Sequence, residues 1–280
     1  MDWILRFASK FRHFNMLRDA WVSAAQFPGF PSGTIFPFRC RLAKFLAPKY
    51  PVGCYLQSPS GAWHFLPANP MDEAVLSSML GHDAYAYFPD LPKSVIDDLS
   101  KGGMMLDVGA FNGSWTAEML IRYPGAQALL LEPTLDKCKN ISRTLKASGL
   151  QSRTRTVPAA LASTEGCGWL MRSDVGSPGD WIQSDPPGES SAARQVSTTT
   201  LARALDGAQP VIVKCNAEGG EFELIQQLLS LGLRPKLMIL FIHPQHVNPN
   251  RLWSDLSGAG YVLKIADDCA THPCWHVEWQ

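Results

Sequence analysis

No stretch constrains this chain more than Met104 to Thr116, MMLDVGAFNGSWT. A short apolar run reaches Asp107, glycines follow at 109 and 113, and the next residues suit a helix. Strand, tight turn and helix in this order open a nucleotide-binding α/β fold. Gly109 and Gly113 permit backbone conformations or close approaches that a Cβ would obstruct. Asp107 falls where the strand ends, at the rim where open α/β sheets bind ligands. A second apolar run, Gln127 to Leu131, ends in Glu132 and Pro133, with Glu132 25 residues after Asp107. A carboxylate at that spacing is placed to accept hydrogen bonds from two ribose hydroxyls.

The glycine spacing narrows the ligand. A dinucleotide loop needs three glycines to bring backbone N–H groups onto a pyrophosphate. Here the spacing is Gly-x-x-x-Gly with Phe111 inside it, which disfavours that cradle. S-adenosylmethionine (SAM) has no phosphate. Its sulfonium, ribose and amino acid tail suit a loop with an acid and open carbonyls. The expected cofactor contacts are Asp107, Gly109, Ala110, Asn112, Gly113, Glu132 and Pro133.

A third strand-to-helix element runs from Val211 to Glu221 and holds Lys214, Asn216 and Glu218. With Asp107–Gly113, Glu132, Thr200-Leu201-Ala202 and Phe241-Ile242-His243, the chain resembles the FkbM family of SAM-dependent methyltransferases over about residues 85–265. The resemblance implies a Rossmann-like class I methyltransferase fold, with a mostly parallel sheet and a C-terminal antiparallel hairpin. It implies methyl transfer to a hydroxyl of a sugar, glycan or secondary metabolite. It also implies a catalytic set of Lys214, Asn216, Glu218 and His243. Three family acids are replaced, by Ala202, Asn216 and Phe241. That loss motivates the alternative of a SAM-binding, catalytically inactive structural or regulatory protein. A neutral amide at 216 holds a hydroxyl but cannot act as a base, which leaves His243 as the expected base, since imidazole titrates near neutrality. Asn216 and Glu218 suit a helix cap equally well, and His243 a structural role.

From residue 104 the pattern alternates: strands at 104–108, 127–131, about 154–157, 211–216 and 237–242, and helices at 114–123, 134–147, 200–205 and 220–231. Such alternation argues for a parallel sheet with right-handed crossovers. An added strand is expected over 168–172, and a closing hairpin from 261–265 and 274–279. Residues 173–195, rich in Gly, Pro, Ser and Asp around Trp181, read as a long loop of the kind that forms lids or acceptor-binding segments. Residues 1–85 form an expected extension: an amphipathic helix over 3–25, a Pro-rich linker over 26–51, a hairpin over 52–66 and a helix over 71–80. The methyltransferase domain is expected over 86–280.

Charge and cysteines bound the partners. The chain is neutral, but residues 1–50 hold eight Lys/Arg against two Asp, so residues 51–280 carry −6. The basic helix over 3–25 offers an anionic membrane surface a dock, while aromatic stripes of its kind more often pack on the main domain or in a homodimer. No basic stripe continues toward the catalytic region, so no nucleic-acid partner is expected. Seven scattered cysteines fit a reducing cytoplasm. Cys269, His272, Cys274 and His276 lack a standard zinc spacing, so no metal is expected.

Overall fold

The computed structural model describes residues 53–67, 70–80, 84–171, 181–183, 193–267 and 273–280. The expected helix over 3–25, the linker over 26–51, and Cys269 and His272 lie outside the described residues.

The central sheet has seven strands: β3 (Met104–Val108), β4 (Gln127–Leu131), β5 (Thr154–Val157), β10 (Pro210–Cys215), β11 (Leu237–Phe241), β12 (Tyr261–Asp267) and β13 (Cys274–Trp279). Their spatial order is β12-β13-β11-β10-β3-β4-β5. Strands β5, β4, β3, β10 and β11 run parallel, and β13 pairs antiparallel with both β11 and β12. This is the Rossmann-like class I methyltransferase order, with the expected antiparallel edge. The chain builds β3, β4 and β5 to one side, then returns to add β10 on the other side of β3. The strand order therefore reverses between β3 and β10, and ligands of open α/β sheets bind outside the carboxyl ends at such a point.

The central strands are continuously apolar because both faces are covered. Met105, Leu130, Ile212, Ile239 and Phe241 face one core, with residues of α4 (Ser114–Arg122) and α5 (Leu135–Ala147). Leu106, Leu129, Leu131, Val213, Met238 and Leu240 face the other, with α6 (Leu201–Leu205), α7 (Gly220–Ser230) and α8 (Pro249–Gly258). Neighbours in sequence thus alternate between cores, as the pleat requires.

The described part of the expected extension is not separate from this body. β1 (Gly53–Gln57) and β2 (Trp63–Pro67) pair as the expected hairpin. The backbone N–H of Trp63 donates to Ser148 Oγ at 2.8 Å, and that of Phe65 to Thr144 Oγ1 at 3.0 Å, tying β2 to α5 and the residue after it. His64 and Glu118, both buried, meet at 2.9 Å. Leu56 and Leu66, with Leu76 and Met79 of α1 (Pro70–Leu80), belong to the same core as Met105 and Leu130. The boundary expected at 85/86 therefore cuts through one hydrophobic core. After it come α2 (Ala84–Tyr87) and α3 (Lys93–Ser100), which leads into β3.

Two further differences concern secondary structure. The segment expected as a loop over 173–195 contains β8 (Trp181–Gln183) and the start of β9 (Ala193–Thr199). With β6 (Ala160–Leu161) and β7 (Gly166–Met171) they form a second sheet, in the order β6-β9-β7-β8. Its pairing is long-range, which the local Gly and Pro content conceals. Helix α8 had no counterpart in the sequence reading, although Asn248-Pro249 announces it. Asn248 Oδ1 accepts from the N–H groups of Asn250 and Arg251, and Pro249 opens the helix. No helix among the described residues is long and apolar enough to cross a membrane.

Candidate functional site

A cavity of about 930 Å³ opens at the carboxyl ends of β3, β4 and β10. Its walls include the turn after β3, Glu132 to Thr134 after β4, Asn216 to Gly220 after β10, and residues of α1. Ala160, Leu170, Trp181 and Ile182 of the second sheet also line it. The segment read as a candidate lid thus contributes Trp181, whose indole lies against the His246 ring, tilted by 31° with centroids 5.3 Å apart.

The turn after β3 is built by close approach. Gly109 has φ +71°, and a Cβ there would lie 2.1 Å from the Asn216 carbonyl oxygen. Only glycine lets the turns after β3 and β10 meet this closely. Lys214 braces the same junction: its Nζ donates to Asp107 Oδ1 at 3.0 Å and to the Gly109 carbonyl at 2.8 Å. The second oxygen of Asp107 accepts from Thr116 Oγ1 at 2.8 Å. Asp107 is fully buried and does not line the cavity. Its expected cofactor contact is therefore corrected to a structural role: it holds Lys214 and the start of α4. Gly113 is also off the cavity wall and packs against Ile141. The two non-glycine residues with left-handed backbones in the cavity wall are Phe111 (φ 55°) and Glu218 (φ 46°). Each such residue costs on the order of 1–3 kcal/mol, and strain of this kind concentrates at functional sites.

Glu132 is nine-tenths buried in the cavity wall. Oε2 accepts from the Phe111 N–H and Oε1 from the Thr134 N–H, each at 2.9 Å. Each carboxylate oxygen keeps a lone pair for a ligand hydroxyl. Burial pushes its pKa up to about 6, against the lowering effect of those backbone donors.

His243 does not stand where a base must stand. It is fully buried and not part of the cavity wall. Nδ1 lies 2.6 Å from Glu221 Oε1 and Nε2 3.2 Å from Glu218 Oε1. Burial lowers its pKa, but the two carboxylates outweigh burial and raise it to about 9. With both ring nitrogens facing carboxylates and no face on the cavity, His243 is not placed to receive a proton from a bound acceptor. It orients Glu218, whose side chain keeps 13% exposure on the cavity wall. Glu221 is fixed from its other side by the Gly219 N–H at 2.9 Å.

Of the expected residues, Gly109, Ala110, Asn112, Glu132, Pro133, Lys214, Asn216 and Glu218 converge on the cavity, while Asp107, Gly113 and His243 stand behind it. Asn216 Oδ1 is buried without a hydrogen-bond partner, so it is open to a ligand donor. Of the three positions where the FkbM resemblance implies an acid, Phe241 and Asn216 line the cavity, whereas Ala202 is exposed on α6 and away from it. The acid missing at 202 therefore removes nothing from the cavity wall. Sequence reasoning missed Asp72, Lys137 and Glu223, which also line the cavity. α1 and β8 reach it only through tertiary packing, so no local motif marks them.

No family model matches the chain, and no curated protein does. Solved structures do. Sp1610 of Streptococcus pneumoniae, a proposed tRNA (m1A22) methyltransferase solved with S-adenosyl-L-methionine, shares 15% identity at TM-score 0.41, over 67% of this chain and 71% of that one. The tRNA m1A22 methyltransferase TrmK of B. subtilis shares 14% at 0.37, over 68% and 67%. The C-terminal domain of precorrin-6Y C5,15-methyltransferase from Rhodobacter capsulatus shares 16% at 0.36, over 71% and 94%. Similarity this distant carries no substrate across, and the strand order itself defines the fold. One expectation is nevertheless corrected. The first two of these proteins are named for methylation of tRNA, and the exclusion of a nucleic-acid partner is withdrawn. It rested on the linear distribution of Lys and Arg, which does not show where those charges lie in space.

Proposed function

We propose that this chain is a SAM-dependent methyltransferase that modifies a hydroxyl on a glycan or another hydroxylated small molecule. One observation carries the reading: Glu132 at the end of β4, paired with the turn after β3 and buried in a cavity at the strand-order reversal. Its two oxygens suit the two hydroxyls of a ribose. The orphaned Asn216 Oδ1 and the Gly109 close approach fit a ligand pressed against both turns. SAM, when bound, supplies an electrophilic methyl group on a cationic sulfur.

The chain's residues then divide the work. Glu132 holds the ribose. Asn216 Oδ1 accepts a hydrogen bond from a second donor of the acceptor molecule and so aligns the reacting hydroxyl. Glu218, oriented by His243, takes the proton of that hydroxyl on its carboxylate. Phe241, Leu170 and Ile182 line the cavity with apolar surface that excludes water. The Trp181–His246 pair offers an aromatic face for a sugar ring.

Transfer from methyl-labelled SAM to a panel of glycans, hydroxylated small molecules and tRNA tests this. We expect labelled glycan or small-molecule product, and a loss of about 10²–10⁴ in turnover for Glu218→Gln with SAM affinity kept. Unchanged turnover in Glu218→Gln would remove it as the base. Label on tRNA alone would overturn the acceptor class. The second reading, a SAM-binding protein without turnover, is favoured by Asn216 and Phe241 standing in the cavity where the family has acids. SAM binding without transfer to any acceptor supports it.

A further inference from the structure

A charged pair at the α1 end of the cavity has no role in the site described so far. Asp72 is 1% exposed, yet it lines the cavity. Its Oδ1 accepts from Asn112 Nδ2 at 2.7 Å and from the Lys137 ammonium. Its Oδ2, equally buried, has no hydrogen-bond partner. A buried anionic oxygen without a donor is unfavourable, and a ligand donor satisfies it. Lys137 keeps 22% side-chain exposure, also on the cavity wall, with its ammonium 3.6 Å from the Phe111 ring centroid.

The connectivity places this pair relative to Glu132. Consecutive residues of one turn reach two acids: Phe111 through its N–H to Glu132, and Asn112 through its side chain to Asp72. The two acids therefore flank one turn in the wall of one cavity. A bare cation there would be repelled by Lys137, and a bare anion by Asp72. A group that carries both charges matches both.

We propose that Asp72 and Lys137 hold the α-amino acid end of SAM, with its ammonium on Asp72 Oδ2 and its carboxylate on Lys137 Nζ. This rests on the reading of the cavity as a SAM site. It makes α1, which lies before the strand-helix alternation, a working part of that site.

The test compares two ligands by calorimetric titration: SAM, and 5′-methylthioadenosine, which has the adenosine and sulfur but no amino acid end. The full-length wild type, Asp72→Asn and Lys137→Gln are titrated with both. We expect SAM affinity to fall at least about tenfold in each variant, as for loss of a hydrogen bond to a charged group. 5′-Methylthioadenosine affinity should stay within about twofold, because the hydrogen bonds that fix Glu132, the ribose acid of this reading, come from Phe111 and Thr134 and not from either side chain. An equal loss for both ligands would show a merely structural role and overturn the proposal. So would unchanged SAM affinity. Lys137→Gln keeps the test open if Asp72→Asn does not fold. Wild type that binds 5′-methylthioadenosine but not SAM would overturn the amino acid subsite alone. Wild type that binds neither would remove the SAM reading itself, and this proposal with it.

Discussion

At the residue scale, charge state separates what the sequence discloses from what it does not. Glu132 was legible because strand, acid and proline are contiguous. The surroundings of His243 were not legible in this way, because its protonation depends on Glu218 and Glu221, which meet it only in the folded sheet. With its pKa raised from 6.5 to about 9, the imidazolium is a structural cation between two acids. Replacing it leaves buried charge uncompensated, so His243→Gln should lose roughly 3–5 kcal/mol near pH 7. The sign with pH follows from the direction of the shift. A raised folded-state pKa stabilises fully below about 6.5 and loses that contribution as pH rises through about 9. In urea unfolding, the gap between wild type and His243→Gln should therefore be wide at neutral pH and narrow above pH 9. A gap that widens with pH would contradict the imidazolium assignment.

At the element scale, local patterns identified most of the central sheet and its helices. The apolar runs of β3, β4, β10 and β11 are buried on both faces and bounded by turn residues, so their positions could be read directly. What escaped was non-local. β8 and the start of β9 follow Gly- and Pro-rich sequence, and pairing with β7, and for β9 also with β6, makes them strands. α8 was overlooked despite a local signal, the Asn248 cap. Removing that cap with Asn248→Ala should cost about 1 kcal/mol. For a chain of this size that lowers Tm by about 2–4 °C in a thermal melt. No change would mean that packing of Leu252 and Leu256 in the core sets this helix without help from its first turn.

At the scale of the whole molecule, the hairpin and α1 belong to the same body as the sheet. The sequence reading divided them because the strand-helix alternation begins only at residue 104. The shared core of Leu56, Leu66 and Leu76 with Met105 and Leu130 is visible only after folding. That union brings Asp72 to the cavity and makes the site a property of the assembled fold. Its most distinctive charge is Glu132, pushed up to about 6 by burial. Its ionised form accepts ribose hydroxyls, so cofactor affinity should rise with pH through about 6 and then level off. Calorimetric titration with SAM, beside NAD, at about pH 5 and 7.5 measures this directly. We expect saturable SAM binding at the higher pH, about tenfold weaker binding at the lower one, and none with NAD. Folded protein that binds NAD, or fails to bind SAM, would contradict the assignment of this cavity.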